Sequence, residues 1–432
     1  MDNRITQKDY LLFATIILGI LVGLWIQPFM FVSFFFCVYF VLTRPIQRSF
    51  YLIFFIMPFA LIFKFRNYDL SFLTIIQILI IFDYFIIKKQ SLKKYFLIPF
   101  AIMLSYFILR MGSYYISILK IAVTCLFVYV FIDSNKKRRG DYVTLLKVFI
   151  TGLIVSSLIG ILKPYVSALS AYYTDLNYQY IAGKRTLRFS GLFSDPNYYA
   201  ISIVLSLLVL SFLKFTNHIK SIPFFFFYII LFVFGIMTYS KSFIIMFAVC
   251  LLVELFLNLK LKKHLLFSFE LLLALSILFV MLFGNSTVLS RNFARFVSGQ
   301  DLTSTRDIIW KNYLHEIQAS ASSILFGHTL GAKYVFGKAA HNLYIELVYY
   351  SGIIGLILYV CFWALMVLSN HSHLKNKIVF VVPLSVLAMF FFLSGFLNYA
   401  FPFYIIISWV ALQIMENYEH RVSFNEKNLV RI

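Results

Sequence analysis

The residues able to do polar chemistry in this chain are few, and they cluster. Arg188, Ser190, Asp195 and Asn197 fall in one run, Arg188-Phe-Ser-Gly-Leu-Phe-Ser-Asp-Pro-Asn197, that leads straight into an apolar stretch. Lys241 sits in Tyr239-Ser-Lys-Ser242, between two apolar stretches. Ser304-Thr-Arg-Asp307 opens a third segment and Ala340-His-Asn-Leu-Tyr344 a fourth, with Glu346 just beyond. Asp195 before Pro196 has the form of a helix start, a side chain that accepts from open N–H groups followed by a residue with none to lose. Helix starts carry partial positive charge and unpaired N–H groups, so four of them with Arg188, Lys241, Arg306 and His341 form a cradle for a diphosphate. Arginine grips phosphate oxygens in pairs, whereas lysine offers a point charge.

Metal and redox chemistry have no such cluster. Cys37, Cys125, Cys250 and Cys361 all lie in apolar runs without CxxC spacing, which argues against a zinc site or a disulfide framework. No metal, nucleotide or other cofactor is called for.

The elements that must position these residues are membrane helices. Of 432 residues 62% are hydrophobic and only 13% charged, so lipid is the main solvent. A span needs about 20 mostly apolar residues, and about 14 spans are expected. They fall near 10–27, 29–43, 50–63, 70–87, 95–109, 113–132, 142–162, 197–213, 222–239, 241–258, 264–283, 341–368, 378–396 and 398–415. The fold class is therefore all-α and polytopic, one membrane domain over 1–432, with the first run retained as a span. The 52 Phe and 29 Tyr read mainly as lipid-facing bulk.

A net charge of +21 would suggest nucleic acid in a water-soluble chain, but here the cations gather in short clusters between apolar runs. Arg44 with Arg48, Lys88 to Lys94, Lys136 to Arg139 and Lys260 to Lys263 mark cytoplasmic loops, with both termini on that side. Two long loops, about 163–196 and 284–340, then lie outside. The second contains a short amphipathic helix from Ser304, with Ile309, Trp310, Tyr313, Leu314 and Ile317 on one face, expected along the membrane surface. No strand alternation or internal repeat is visible. Lys120, Lys147, Glu254 and Glu270 fall within spans and read as buried ionisable groups.

Residues 185–365 resemble the O-antigen ligase and polysaccharide polymerase superfamily. Three ordered blocks carry the resemblance: Arg188-Phe-Ser-Gly with Asp195-Pro-Asn; Thr238-Tyr-Ser-Lys241; and Thr305-Arg306 to Trp310, then Phe326-Gly327, His341-Asn342 and Gly352-Ile-Ile-Gly355. The resemblance implies a GT-C-like glycosyltransferase of the bacterial cytoplasmic (inner) membrane. It implies an outward-facing active site, an undecaprenyl-diphosphate-linked oligosaccharide as donor, and membrane lipid, a flippase and a chain-length regulator as partners. Arg188, Lys241 and Arg306 would bind the diphosphate, although the family often has arginine where Lys241 stands. His341 would orient or deprotonate the acceptor hydroxyl, with Asp195 the alternative base. Ser190, Asn197, Asn342 and Glu346 would support substrate. With His341 on the helix, Glu346 lies about 140° around it and is a poor orienting partner. Gly352 and Gly355 read as close-packing positions, and Tyr172, Tyr173, Tyr178 and Tyr180 as possible sugar platforms. Three functions compete: a polymerase of capsule, exopolysaccharide or O-antigen type, toward which the Phe-, Ile- and Lys-rich composition tilts slightly; a ligase delivering the polymer to another acceptor; and a flippase.

Overall fold

Lipid offers backbone amides no partner, so apolar runs close their N–H and C=O groups internally as helices. The computed structural model describes residues 5–64, 71–110, 115–137, 141–171, 178–181, 184–258, 306–329, 332–368, 381–392 and 400–429. In chain order the helices are α1 (Gln7–Gly23), α2 (Pro28–Thr43), α3 (Ile46–Ile56), α4 (Phe72–Phe82), α5 (Lys94–Leu109), α6 (Tyr115–Lys137), α7 (Tyr142–Ile161), α8 (Ser167–Ser170), α9 (Pro196–Phe215), α10 (Ser221–Met237), α11 (Lys241–Asn258), α12 (Arg306–Gln318), α13 (Ala321–Phe326), α14 (Leu343–Leu368), α15 (Val381–Met389) and α16 (Phe401–Leu429). Among the described residues four stretches are long and apolar enough to cross a membrane, Ile118–Asn135, Tyr142–Ile161, Pro196–Phe215 and Leu343–Val367, and shorter apolar helices accompany them. The expected span at 264–283, with Glu270, lies outside the described residues, as do Tyr172, Tyr173 and the Ser304-Thr305 helix start.

One expectation fails in the first long loop, about 163–196. A two-stranded antiparallel ribbon, β1 (Tyr178–Ile181) with β2 (Lys184–Leu187), pairs Tyr178 with Leu187 and Ile181 with Lys184. Four-residue strands are too short to show period-two alternation against a helical background.

The chain forms two compact units. Unit 1 comprises Met1–Asp141, Asp301–Ser369 and Phe390–Ile406. Its interior is aromatic: Phe50 meets Phe131 edge-on at 4.7 Å and Phe54 meets Phe403 at 4.9 Å. Many phenylalanines that composition assigned to lipid are thus core residues, because edge-to-face rings fill interhelical space well. Cations read as topology markers also have partners. Arg48 donates to buried Asp9 at 3.1 Å, and Lys93 lies 2.6 Å from buried Asp133, which also accepts from the Tyr84 hydroxyl. Lys88 pairs with Asp83, where α4 ends in a π-turn.

Unit 2 comprises Tyr142–Gln300, Asn370–Met389 and Ile407–Ile432. Its centre is α9, buried on all sides against α7, α10, α11 and α15, as an all-round apolar helix must be. Lys147, expected to be buried in a span, is exposed in the second turn of α7, and Lys120 of unit 1 is half-buried. Long aliphatic stems let such ammonium groups reach beyond their helix positions.

Helix α14 is interrupted. Gly352 adopts φ +66°, and a Cβ there would come within 2.1 Å of Leu325 O. The break is filled by α13 and the residues after it: His328 N donates to Tyr349 O at 2.8 Å, and Tyr106 Oη to Ser351 O. Arg110 Nη2 fastens the same turn through Gly327 O at 2.6 Å and His328 O. Gly352 is therefore more than a packing position. Gly337 provides a control, since it too has positive φ (+70°) but open space where a Cβ would stand. Gly337→Ala should cost only the left-handed backbone penalty, about 1 kcal/mol, whereas Gly352→Ala should cost several-fold more because backbone atoms must move. Thermal unfolding of the two purified variants checks the contrast.

Candidate active site

In unit 2 the sequence run from Arg188 to Asn197 is stitched to two helix starts. Phe189 N donates to Met237 O at 3.1 Å, which lays the segment against the end of α10. Arg188, buried, then donates through Nε to Thr238 O and through Nη2 to Asn197 Oδ1, both at 3.0 Å. The same Asn197 oxygen accepts from Ser240 Oγ at 2.8 Å. One amide oxygen thus joins the start of α9 to the start of α11. Each start is capped locally. Asp195 Oδ1 accepts from Asn197 N at 2.7 Å, with Pro196 at the first helical position, and Ser240 Oγ accepts from Phe243 N at 3.4 Å. The turn between α10 and α11 needs Tyr239 at φ +49°. Lys241, half-buried, is the first residue of α11.

The turn after Arg188 is held from below by α7. Gly191 has φ +52°, and its own Cβ would strike the Tyr199 ring at 2.8 Å, while a Cβ on Gly160 would lie 2.6 Å from Gly191 Cα. Lys163, almost fully buried, donates to Ser190 Oγ and Phe193 O, each at 3.4 Å. Ser190 in turn donates to Phe193 O at 2.9 Å. Burial lowers the Lys163 pKa from 10.5 to about 8.

In unit 1 helix α12 carries Arg306 and rests on the chain that precedes α14. Trp310 Nε1 donates to Ala340 O and Tyr313 Oη to Lys338 O, both at 2.8 Å, and the Tyr313 ring meets Tyr349 edge-on at 4.9 Å. Burial, with smaller contributions that include the Glu346 charge, pushes the Tyr313 phenol up. The face expected on the membrane surface is thus largely a protein contact: Tyr313 and Ile317 are buried, though Leu314 is exposed. Tyrosine and tryptophan at its centre each have a polar atom that finds a carbonyl, which lipid would not supply.

The helix start at His341 also needs correction. The helix begins at Leu343, capped by Asn342, whose Oδ1 accepts from Tyr344 N at 3.0 Å and Ile345 N at 3.1 Å. His341 precedes the cap at φ +51° and is half-buried. The angle drawn around the helix to Glu346 therefore does not apply, because the histidine is not on the helix. Glu346 is buried in the first turn.

The predicted residues fall into two sets. Arg188, Ser190, Asp195, Asn197 and Lys241 come together in unit 2, and Arg306, His341, Asn342 and Glu346 belong to unit 1. Asn342, Asp195 and Ser190 serve the local backbone, so their side chains already have structural work. Of the proposed sugar platforms, Tyr178 is exposed in β1 and Tyr180 is the residue of the same strand paired with Arg185. Lys163, Arg110 and His328 were missed in the sequence because each stands at the edge of an apolar run with no neighbouring polar pattern. The chain matches no family model and no curated protein.

Lys163 supports a pH prediction. Its folded pKa lies below the unfolded value, so the folded state releases its proton first as pH rises, and stability increases between about pH 8 and the ordinary lysine range. Lys163→Met should abolish that part of the rise. The difference between wild-type and variant melting curves across pH 7 to about 10.5 measures it.

Proposed function

We propose that the chain is a membrane glycosyltransferase that polymerises a lipid-linked glycan, moving the growing chain from undecaprenyl diphosphate onto the next lipid-linked repeat unit. This reading includes about 14 spans in a GT-C-like arrangement in the bacterial inner membrane, cytoplasmic termini and an outward active site. The observation that carries it is the pairing of two helix starts through Asn197, with Arg188 in the joint and Lys241 at the first position of α11.

In the reaction, the bond between the anomeric carbon and the diphosphate oxygen breaks and its electron pair leaves with the diphosphate. Arg188 and Lys241 of unit 2 offset that developing charge, and the resemblance gives Arg306 the same role. The acceptor hydroxyl oxygen forms the new glycosidic bond as its proton passes to a general base, the role that the resemblance gives His341, which precedes the α14 cap at φ +51°. Asp195, by contrast, holds the start of α9.

A ligase would use the same chemistry with another acceptor. The flippase reading gains one observation, the broken helix at Gly352, since discontinuous helices line transport sites. Here the break is packed with Leu325, Phe326 and His328 backbone, which favours a structural joint.

Deleting the gene separates the three: loss of the length ladder with single repeats still transferred means polymerase, intact ladders stranded on the carrier mean ligase, and repeats trapped on the inner leaflet mean flippase. With purified protein, His341→Ala should lower turnover about 10²- to 10⁴-fold. Asp195→Ala should instead cost about 1 kcal/mol of stability while leaving turnover per folded molecule near wild type. The reverse pattern would make Asp195 the base.

A further inference from the structure

The segment between α13 and α14 presents an aromatic tip that the proposed chemistry does not use. Phe336 is 79% exposed and Tyr334 50%, with Lys333 and Lys338 exposed on either side. This tip is held firmly. Tyr349 Oη donates to Lys333 O at 3.0 Å on one side, Tyr313 Oη to Lys338 O at 2.8 Å on the other, and Val335 between them is buried. Gly337 N and Lys338 N close the turn onto Tyr334 O and Val335 O. Phe336 itself is in the left-handed region at φ +49°, a costly conformation for a bulky residue, and the space beside Gly337 is empty. Two buried tyrosine hydroxyls thus support a strained turn whose product is an outward phenylalanine.

The depth of the tip follows from α14. The stretch Leu343–Val367 is long and apolar enough to cross a membrane, its helix broken at Gly352. Asn342 caps its start and Glu346 lies in its first turn, polar groups that suit an end at the membrane surface. The bond from Tyr349 sets Lys333 beside the second turn of that helix.

We propose that Tyr334 and Phe336 form a finger seated in the headgroup layer of the bilayer, with Lys333 and Lys338 against the phosphates of anionic phospholipid. Aromatic side chains favour that layer and lysines favour its negative charge. The finger would fix the chain that leads to His341 relative to the membrane surface. The inference rests on the membrane character of the chain and is independent of the transfer reaction.

The full chain in lipid nanodiscs tests it. Cys361 is the exposed cysteine and Cys37, Cys125 and Cys250 are buried, so Phe336→Cys in a Cys361→Ser background accepts an environment-sensitive fluorophore at the tip. Nitroxides on the lipid headgroup or upper acyl chain should quench it at least twofold more than aqueous iodide does. Discs of phosphatidylglycerol should give stronger quenching than discs of phosphatidylcholine, and Lys333→Gln with Lys338→Gln should remove that difference. Dominant iodide quenching overturns the proposal, as does an unchanged lipid preference in the double variant. Protection from iodide by an added lipid-linked saccharide, without lipid quenching, also overturns it and makes the finger a substrate contact. Tyr334→Cys gives a second labelling site should the first fail to fold.

Discussion

In lipid an unpaired backbone group has no water to turn to, and this constraint orders the molecule. Polar side chains are spent where helices begin, end or break. Asn342 closes the start of α14, Asp195 that of α9 and Ser240 that of α11. Where α14 breaks at Gly352, the freed carbonyls of Tyr349 and Ser351 receive His328 N and Tyr106 Oη. Since helix ends are also where dipoles expose charge, the groups that satisfy the backbone and those able to meet an anion are neighbours by necessity.

That coincidence explains how far the sequence could be read. Helices were legible because apolar runs interrupted by Arg, Lys, Pro or Gly leave little freedom: 142–162 and 241–258 were expected, and α7 and α11 occupy Tyr142–Ile161 and Lys241–Asn258. The cap at Asp195-Pro196 was legible for the same local reason. The helix start near His341 was misplaced by two residues, because Asn342 is the better cap and nothing in the pattern fixes which polar residue of His-Asn takes that place.

Other features depend on partners far along the chain. The Asn197 oxygen receives Arg188 from nine residues away and Ser240 from 43, and only the second separation crosses a whole helix pair. Lys163 is invisible in the sequence for a related reason: a lysine at the end of an apolar run looks solvated until Gly160 and Gly191 are seen to let two backbones close over it. The aromatic core was misjudged since composition cannot distinguish a ring facing lipid from one facing another ring.

The division of labour between Arg188 and Lys241 follows from geometry. Arginine can hold several acceptors at once in a fixed plane, and Arg188 uses that capacity on Thr238 O and Asn197 Oδ1, which sets the spacing of two helix starts. A lysine in that place could not span both acceptors with directional bonds. Lys241, at the first position of α11, offers a point charge without that fork, so in the proposed reaction it is suited to an anion and not to fixing the joint. Lysine here, where the family that the chain resembles often has arginine, keeps the charge that the proposed phosphate contact needs. Within the proposed reaction Arg188 therefore sets the geometry of the two helix starts, and Lys241 contributes charge.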